Sequence, residues 1–265
     1  MSARRRLDAE LVRRGLVETR QQAQEAIAAG RVLVAGAPAD KPARMVGADQ
    51  PLVVTGPPKR FVSRGGDKLD AALERFGVDV RGRVVLDAGA STGGFTDCVL
   101  QRGAAQVISV DVGYGQLHER LRSDDRVEVR ERTNVRTLKL DHPAEVVVGD
   151  LSFISLATVA PALLGENAAP RADVVLLVKP QFEAGRAEVS KGRGVLRDPV
   201  VWRRVLDEVR SALSAHGAAM MDVMVSPLKG ADGNVEFLVH LRAHAGALGS
   251  VDDETLDAVV AEAAG

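Results

Sequence analysis

The decapeptide Asp87-Ala88-Gly89-Ala90-Ser91-Thr92-Gly93-Gly94-Phe95-Thr96 joins an apolar, β-branched run at 84–87 to a helical pattern at 94–102. A glycine-rich turn from strand to helix exposes backbone that side chains would otherwise shield, so a ligand can approach it closely. The glycines fall at 89, 93 and 94, which is not the Gly-x-Gly-x-x-Gly of dinucleotide folds, and no Gly-Lys-Ser/Thr follows to make a Walker loop. What precedes the turn is an acid, Asp87. A carboxylate there repels a pyrophosphate and suits the ammonium or sulfonium of S-adenosylmethionine. The turn therefore reads as a methyl-donor cradle, with Asp87, Gly89, Ser91, Thr92, Gly93, Gly94, Phe95 and Thr96 as candidate cofactor residues.

Outward from the turn, strand-like and helix-like stretches alternate. Strands are expected at 84–87, 107–111, 127–130, 146–150, 174–179, 221–225 and 235–241. Helices are expected at 94–102, 155–164 and 199–215, the last opened by Asp198 as N-cap and Pro199 at N1. The alternation predicts an α/β domain, a Rossmann-like, largely parallel sheet with helices on both faces. In such sheets ligands bind at the carboxyl ends of the strands. Asp111 ends the second strand, 22 residues past Gly89, where a carboxylate can accept from both ribose hydroxyls of a nucleoside; an exposed strand-end acid is the plainer reading. Asn134, after the third strand, is a candidate for the adenine edge.

Asp150 and Lys179 end the fourth and fifth strands and project toward the same edge. Lys68 lies at the start of a helix that could cross that edge, and Glu236 interrupts the apolar run 235–239. Singly, each of the four also fits a structural ion pair. Together, two lysines and two acids around a methyl donor suggest transfer to a weakly acidic hydroxyl such as a ribose 2′-hydroxyl, whose proton must leave during the attack. A lysine serves as base only when neutral or sharing its proton, which desolvation and a neighbouring cation favour. Lys179 beside Lys68, both fixed by Asp150 and Glu236, would meet that condition.

Composition narrows the remaining classes. In 265 residues, 46% hydrophobic and 27% charged residues argue against a disordered tail or a membrane bundle, and 3% aromatics leave the core to Val, Leu, Ile and Ala. No apolar run reaches the roughly 18 residues of a spanning helix, and no apolar h-region follows the basic N-terminus, so a cytoplasmic protein without a membrane partner is expected. The single cysteine, Cys98, leaves no internal disulfide, and five histidines without zinc spacing lead to no expected metal. The net charge of −1 speaks on its face against a polyanionic partner. Yet residues 1–60 hold eleven basic and six acidic residues and the other 205 hold 24 and 30, so a net +5 precedes a net −6. Such asymmetry fits a nucleic-acid-binding appendage, or simply a solvated surface.

Within the basic segment, Leu7, Leu11 and Val12 recur at helical spacing before Gly15. Thr19 and Gln22 read as a capping box for a second helix, with Ala23, Ala26 and Ile27 inside and Gly30 at its end. Val32 and Val34 then alternate before Gly36, so two short helices and a small sheet are expected. The strings Arg6-Leu7-Asp8, Arg13-Arg14-Gly15-Leu16, Thr19-Arg20, Ala26-Ile27, Gly30-Arg31-Val32 and Val34-Ala35-Gly36 resemble the S4 RNA-binding domain, over residues 4–50. The resemblance implies recognition of folded RNA by shape and backbone. Arg4, Arg6, Arg20, Arg31 and Lys41 are candidate RNA contacts there, with Arg64, Lys191 and Arg193 further along the chain. Pro51, Gly56, Pro57 and Pro58 mark a boundary, giving an S4-like domain at 1–58, a linker at 59–63 and a methyltransferase domain at 64–265.

The rest of the chain extends the resemblance. Val62-Ser63-Arg64-Gly65-Gly66-Asp67-Lys68-Leu69, the 87–96 turn, Gly149-Asp150-Leu151-Ser152-Phe153-Ile154-Ser155, Val178-Lys179-Pro180-Gln181-Phe182-Glu183 and Gly233-Asn234-Val235-Glu236-Phe237 resemble the TlyA family. Its members are ribosomal RNA 2′-O-methyltransferases, often labelled haemolysins, that join an S4 domain to an FtsJ-like Rossmann domain. The resemblance implies that the family's Lys-Asp-Lys-Glu tetrad falls on Lys68, Asp150, Lys179 and Glu236, with Lys179 as base. It also implies S-adenosylmethionine as cofactor and cytidine ribose in 16S and/or 23S rRNA, within ribosomal subunits, as substrate. An effect on capreomycin and viomycin susceptibility goes with it. Two other classes compete. The intact tetrad speaks against a non-catalytic ribosome-binding or assembly factor. A membrane-lytic haemolysin finds no spanning or strongly amphipathic cationic segment to support it.

Overall fold

A computed structural model describes the chain except residues 1–3, 18–19, 57–59, 186–187, 190–193, 231 and 247–248. Thr19 of the expected capping box, and Lys191 and Arg193, lie outside the described residues. The chain divides into two compact units, Met1–Lys59 and Arg60–Gly265.

The first unit holds β1 (Arg5–Arg6), α1 (Leu7–Arg13), α2 (Arg20–Ala28), β2 (Val32–Val34), β3 (Ala37–Pro38), β4 (Met45–Val46) and β5 (Leu52–Val54). Gly15 and Gly30 take φ of +66° and +67°, the left-handed conformation that closes a helix without a Cβ clash. Leu7 and Leu11, one turn apart on α1, pack on Ala23, Ala26 and Ile27 of α2 and on Val32 and Val34 of β2. The small residues on α2 let the helices approach closely in a core this thin. In place of the one small sheet expected, there are two: β2 sits between β3 and β5, while β4 pairs antiparallel with β1. The two-residue strands β1 and β4 are too short to be read from alternation.

The second unit comprises α3 (Arg64–Phe76), β6 (Val84–Ala88), α4 (Gly94–Gln101), β7 (Gln106–Val110), α5 (Glu119–Arg122), β8 (Val127–Arg130), β9 (Ala144–Gly149), α6 (Leu156–Leu164), β10 (Ala168–Val178), α7 (Pro180–Glu183), α8 (Pro199–Ser214), β11 (Ala219–Val225), β12 (Phe237–Arg242) and α9 (Asp253–Ala264). Seven strands form one sheet in the order β11-β12-β10-β9-β6-β7-β8. β8, β7, β6, β9 and β10 are parallel neighbours, and β12 runs antiparallel to β10 and β11. Side chains alternate across the sheet. Val85, Val107, Val148 and Leu177 meet Leu69, Leu73, Phe95 and Val99 of α3 and α4. Leu86, Ile108, Val147 and Leu176 meet Leu156, Leu163, Leu206 and Leu256 of α6, α8 and α9 on the other face. This is the doubly covered, mostly parallel α/β sheet that the sequence predicts.

Helix starts follow local chemistry. Ser155 accepts from Ala157 N to cap α6, and Asp198 accepts from Val200 N with Pro199 in the first turn of α8. Two details differ from the sequence reading. β12 begins at Phe237, so Glu236 precedes the strand, and its carbonyl accepts from Ser226 N on the adjoining loop. Helix α9, capped by Asp252, lies beyond the last element expected; Leu256, Val259 and Val260 bury it against the sheet's α6–α8 side. Among the described residues, no helix is long and apolar enough to cross a membrane.

Candidate active site

The chain leaves β6 for β7 and β8 on one side and returns to β9 and β10 on the other. The loops that follow adjacent strands thus diverge at the carboxyl ends of β6 and β9, and a crevice opens between them. A cleft of about 320 Å³ there is lined by Gly89, Ser91, Asp111, Gln116, Thr133, Asp150, Ser152 and Phe153, among others. An adjoining recess of about 150 Å³ shares Gly89, Ser91, Asp150 and Ser152 and adds Ser63, Thr92, Gly94, Phe95 and Lys179.

The glycine-rich turn shapes the cleft through backbone. Gly89 has φ +85°, and a Cβ built on it would lie 2.8 Å from the Asp150 carbonyl oxygen. Ser91, also left-handed at φ +48°, donates its N–H to Asp111 Oδ2 at 2.8 Å, and Gly113 N donates to Asp111 Oδ1 at 2.6 Å. Asp111 thereby holds two loops together while facing the cleft. Gly93 and Gly94 are small for packing reasons: a Cβ on Gly93 would strike Leu121, and one on Gly94 would strike Ser63 Oγ, each at 2.2 Å.

Four candidate cofactor residues, Asp87, Gly93, Thr96 and Asn134, line neither the cleft nor the recess. Asp87 is fully buried beneath the turn, with Oδ2 accepting from Thr96 Oγ1 at 2.6 Å; Thr96 in turn meets Ser109 Oγ at 2.7 Å. The anion expected to face the donor is thus one layer down, bound to the first turn of α4, because strand alternation puts its side chain on the same face of the sheet as Val85, the face that α3 and α4 cover. Burial pushes the Asp87 carboxyl up to about 7, against the pull of the Thr96 hydrogen bond. Asn134 is exposed and accepts from Arg136 N as the cap of a short 3₁₀ turn, Val135–Thr137; its neighbours Thr133 and Val135 line the cleft instead.

Two ion pairs join the four tetrad residues. Lys179 Nζ lies 2.6 Å from Asp150 Oδ1 and donates to Ser152 Oγ at 2.7 Å, at the wall of the recess. Lys68 Nζ donates to Glu236 Oε2 at 2.5 Å, with both side chains buried. The loops carrying the first pair are tied together one turn further on. Glu183 accepts from Ser155 Oγ at 2.6 Å and from Leu156 N at 2.9 Å. The Phe182 and Phe153 rings meet at a 48° tilt with centroids 4.9 Å apart, and Lys179 Nζ lies 5.8 Å from the Phe182 ring. Ser63, Gln116, Ser152 and Phe153 line the site without having been singled out from sequence. Ser63 and the last two stand inside the family-like strings, which were the available signal.

Among the candidate RNA contacts of the first unit, Arg4 and Lys41 are exposed, and Arg31 is half-buried with its carbonyl accepting from Thr55. Arg6 and Arg20 both bind Asp8. In the second unit Arg64 is exposed and donates to the Lys229 carbonyl at 2.5 Å.

Residues 61–243 match the FtsJ-like methyltransferase family, and residues 5–51 match the S4 domain. A Mycobacterium tuberculosis protein named 16S/23S rRNA (cytidine-2′-O)-methyltransferase TlyA is 52% identical over 246 residues, 91% of each chain. The chain belongs to the TlyA family of FtsJ-like methyltransferases. Hemolysin A of Brachyspira hyodysenteriae is 40% identical over 89% of this chain and 98% of its own. A solved structure of a hemolysin-named protein from Streptococcus thermophilus superposes with a TM-score of 0.79 at 38% identity, covering 99% of this chain and 96% of that one. The family's fold is that of S-adenosylmethionine-dependent methyltransferases, and the haemolysin label travels with it.

Proposed function

We propose that the protein transfers a methyl group from S-adenosylmethionine to the 2′-hydroxyl of cytidine in ribosomal RNA, on assembled subunits in the cytoplasm. The observation that carries this reading is the Lys179–Asp150 pair on the wall of a recess continuous with the cleft. Membership of a family whose M. tuberculosis relative bears that activity in its name supports it.

The cleft fits the donor. Gly89 lines it with bare backbone, and Asp111 faces it with a carboxylate suited to ribose hydroxyls. Gly89, Ser91, Thr92, Gly94, Asp111 and Asp150 would hold the donor, and Phe95 would wall it. Asp87, Gly93 and Thr96 support the turn from beneath. When bound, S-adenosylmethionine supplies an electrophilic methyl on a sulfonium.

The remaining work falls to the chain. Asp150 and Ser152 hold Lys179 Nζ at the recess wall. Asp150 can take one ammonium proton, which leaves a neutral amine to accept the proton of the 2′-hydroxyl as that oxygen attacks. A base so placed contributes about 10²–10⁴-fold. The buried Lys68–Glu236 pair ties α3 to the loop before β12. The S4 domain, through Arg4, Arg6, Arg20, Arg31 and Lys41, brings the RNA; Arg64 and the Lys191–Arg193 segment are further contacts in the same reading. Modification of this kind would carry the capreomycin and viomycin susceptibility of the family.

The test is to incubate each purified ribosomal subunit with the protein and isotopically labelled donor, then analyse the digested rRNA by mass spectrometry. Labelled 2′-O-methylcytidine from at least one subunit is the expected result. Label on a base, or none on either subunit, would refute the reading.

A further inference from the structure

Two acids on α1 of the S4 unit are buried, Asp8 with 0% and Glu10 with 1% of their surface exposed, and each gathers arginines. Their arginines differ in kind. Glu10 binds Arg13 and Arg14, and Arg14 spends its other nitrogens on the carbonyls of Gly47, Ala48 and Gln50, with only 20% of its side chain exposed. That arrangement staples α1 to the turn before β5. Asp8 instead gathers two arginines that stay outside. Arg6 donates Nε to Oδ1 at 3.0 Å and Nη2 to Oδ2 at 2.9 Å, and Arg20 donates Nη2 to the same Oδ2 at 3.0 Å. Their side chains are 45% and 59% exposed. The carboxylate itself is fixed by Ala9 N at 2.8 Å and Gln24 Nε2 at 3.3 Å.

From this geometry we infer that Asp8 is a positioning residue that assembles Arg6 and Arg20 into a single clamp for one phosphate of the RNA backbone. The inference rests on the reading that these arginines touch RNA. Two half-exposed guanidinium groups from different elements converge on one oxygen, which holds them close together at the surface. A guanidinium carries five donors in a rigid plane, so one edge can stay on Asp8 while another binds a phosphate oxygen. Free arginines lose rotamer freedom when they close on a phosphate, and side chains held in place beforehand lose less. The carboxylate stays ionised in that role, because the Arg6 hydrogen bond, aided by Arg20, Gln24 and Ala9, holds it well below the usual range despite burial.

The sign of one substitution separates this from simple electrostatics. Asp8→Asn makes the S4 unit more positive, so charge alone would tighten binding to a polyanion. Loss of positioning would weaken it, by about three- to tenfold for two side chains set free. The experiment measures binding of the full chain to purified ribosomal subunits across a salt series, with thermal melting as a check on folding. Glu10→Gln, which removes the same charge from the same helix, is the control and is expected to lower the melting temperature without weakening binding. Arg6→Ala and Arg20→Ala, at exposed positions, test the clamp without touching Asp8. Each should weaken binding, and the double variant should lose less than the product of the two losses.

Tighter or unchanged binding by folded Asp8→Asn would overturn the clamp, as would arginine losses that simply multiply. If neither arginine variant weakens binding, the reading of these residues as RNA contacts falls first and the clamp falls with it.

Discussion

Both edges of the seven-stranded sheet collect charged side chains, and the two edges satisfy them in opposite ways. At the amino edge, Asp173 is 5% exposed and lies within 2.9 Å of Arg83, His240 and Arg242 nitrogens, with Phe76 stacked on the His240 ring. Burial would raise its carboxyl, but hydrogen bonds from His240 and Arg83 outweigh that and hold it below the ordinary value. At the carboxyl edge, Asp111 takes its hydrogen bonds from backbone, and Asp150 Oδ1 has an ion pair but no well-angled hydrogen bond. A carboxylate saturated by cations is part of the scaffold. One that keeps acceptor capacity toward a cleft is placed for something the fold does not itself provide.

The strongest way to break this contrast is Lys179→Ala. It should lower the single-turnover methyl-transfer rate by about 10²–10⁴-fold while calorimetry shows donor binding retained. Full activity would remove Lys179 as the base. At the other edge, Asp173→Ala leaves Arg83, Arg242 and His240 without their shared anion and should cost about 3–5 kcal/mol of stability in denaturant unfolding, with turnover per folded molecule unchanged. A loss of turnover without loss of stability would mean the amino edge is not mere scaffold. Asp111→Ala should weaken donor binding by about 1–3 kcal/mol, read by calorimetry, with a smaller effect on the melting temperature.

A further prediction concerns Asp87. Its carboxyl titrates near 7 when folded and near 3.8 when unfolded. Between those values the folded chain keeps a proton that the unfolded chain has released, so stability falls as pH rises through the window and levels off above it. Asp87→Asn should flatten that part of the melting-temperature profile. An unchanged slope would show that Asp87 stays ionised when folded.

Much of the fold was legible because its elements carry local signals. β-branched runs buried on both faces marked the parallel strands, and Asp198-Pro199 marked the start of α8. β1, β4 and α9 were not legible: the strands are two residues long, and α9 is fixed by packing on the sheet. The site was legible as residue types at strand ends but not as contacts. Asp87 and Asn134 were expected to face the donor because they end or follow strands. Position along a strand does not say whether a side chain turns into the crevice or under it, and both turned to local backbone or hydroxyl partners.

For the cationic residues the division is sharper. The charge halves, the glycine turn and the two lysines with two acids are all present in the linear chain. Which acid holds which lysine is not: Lys68 and Glu236 stand far apart in sequence and meet only because α3 and the loop before β12 close over the same strands. Long-range packing decides such pairs, since a buried charge must find its partner wherever the fold delivers one. Sequence alone determined that this is an α/β methyltransferase-like chain whose first 60 residues are basic. The tertiary structure decided which lysine meets which acid, Lys179 with Asp150 at the recess wall and Lys68 with Glu236 in a buried pair, and that Asp8 draws two exposed arginines to one point.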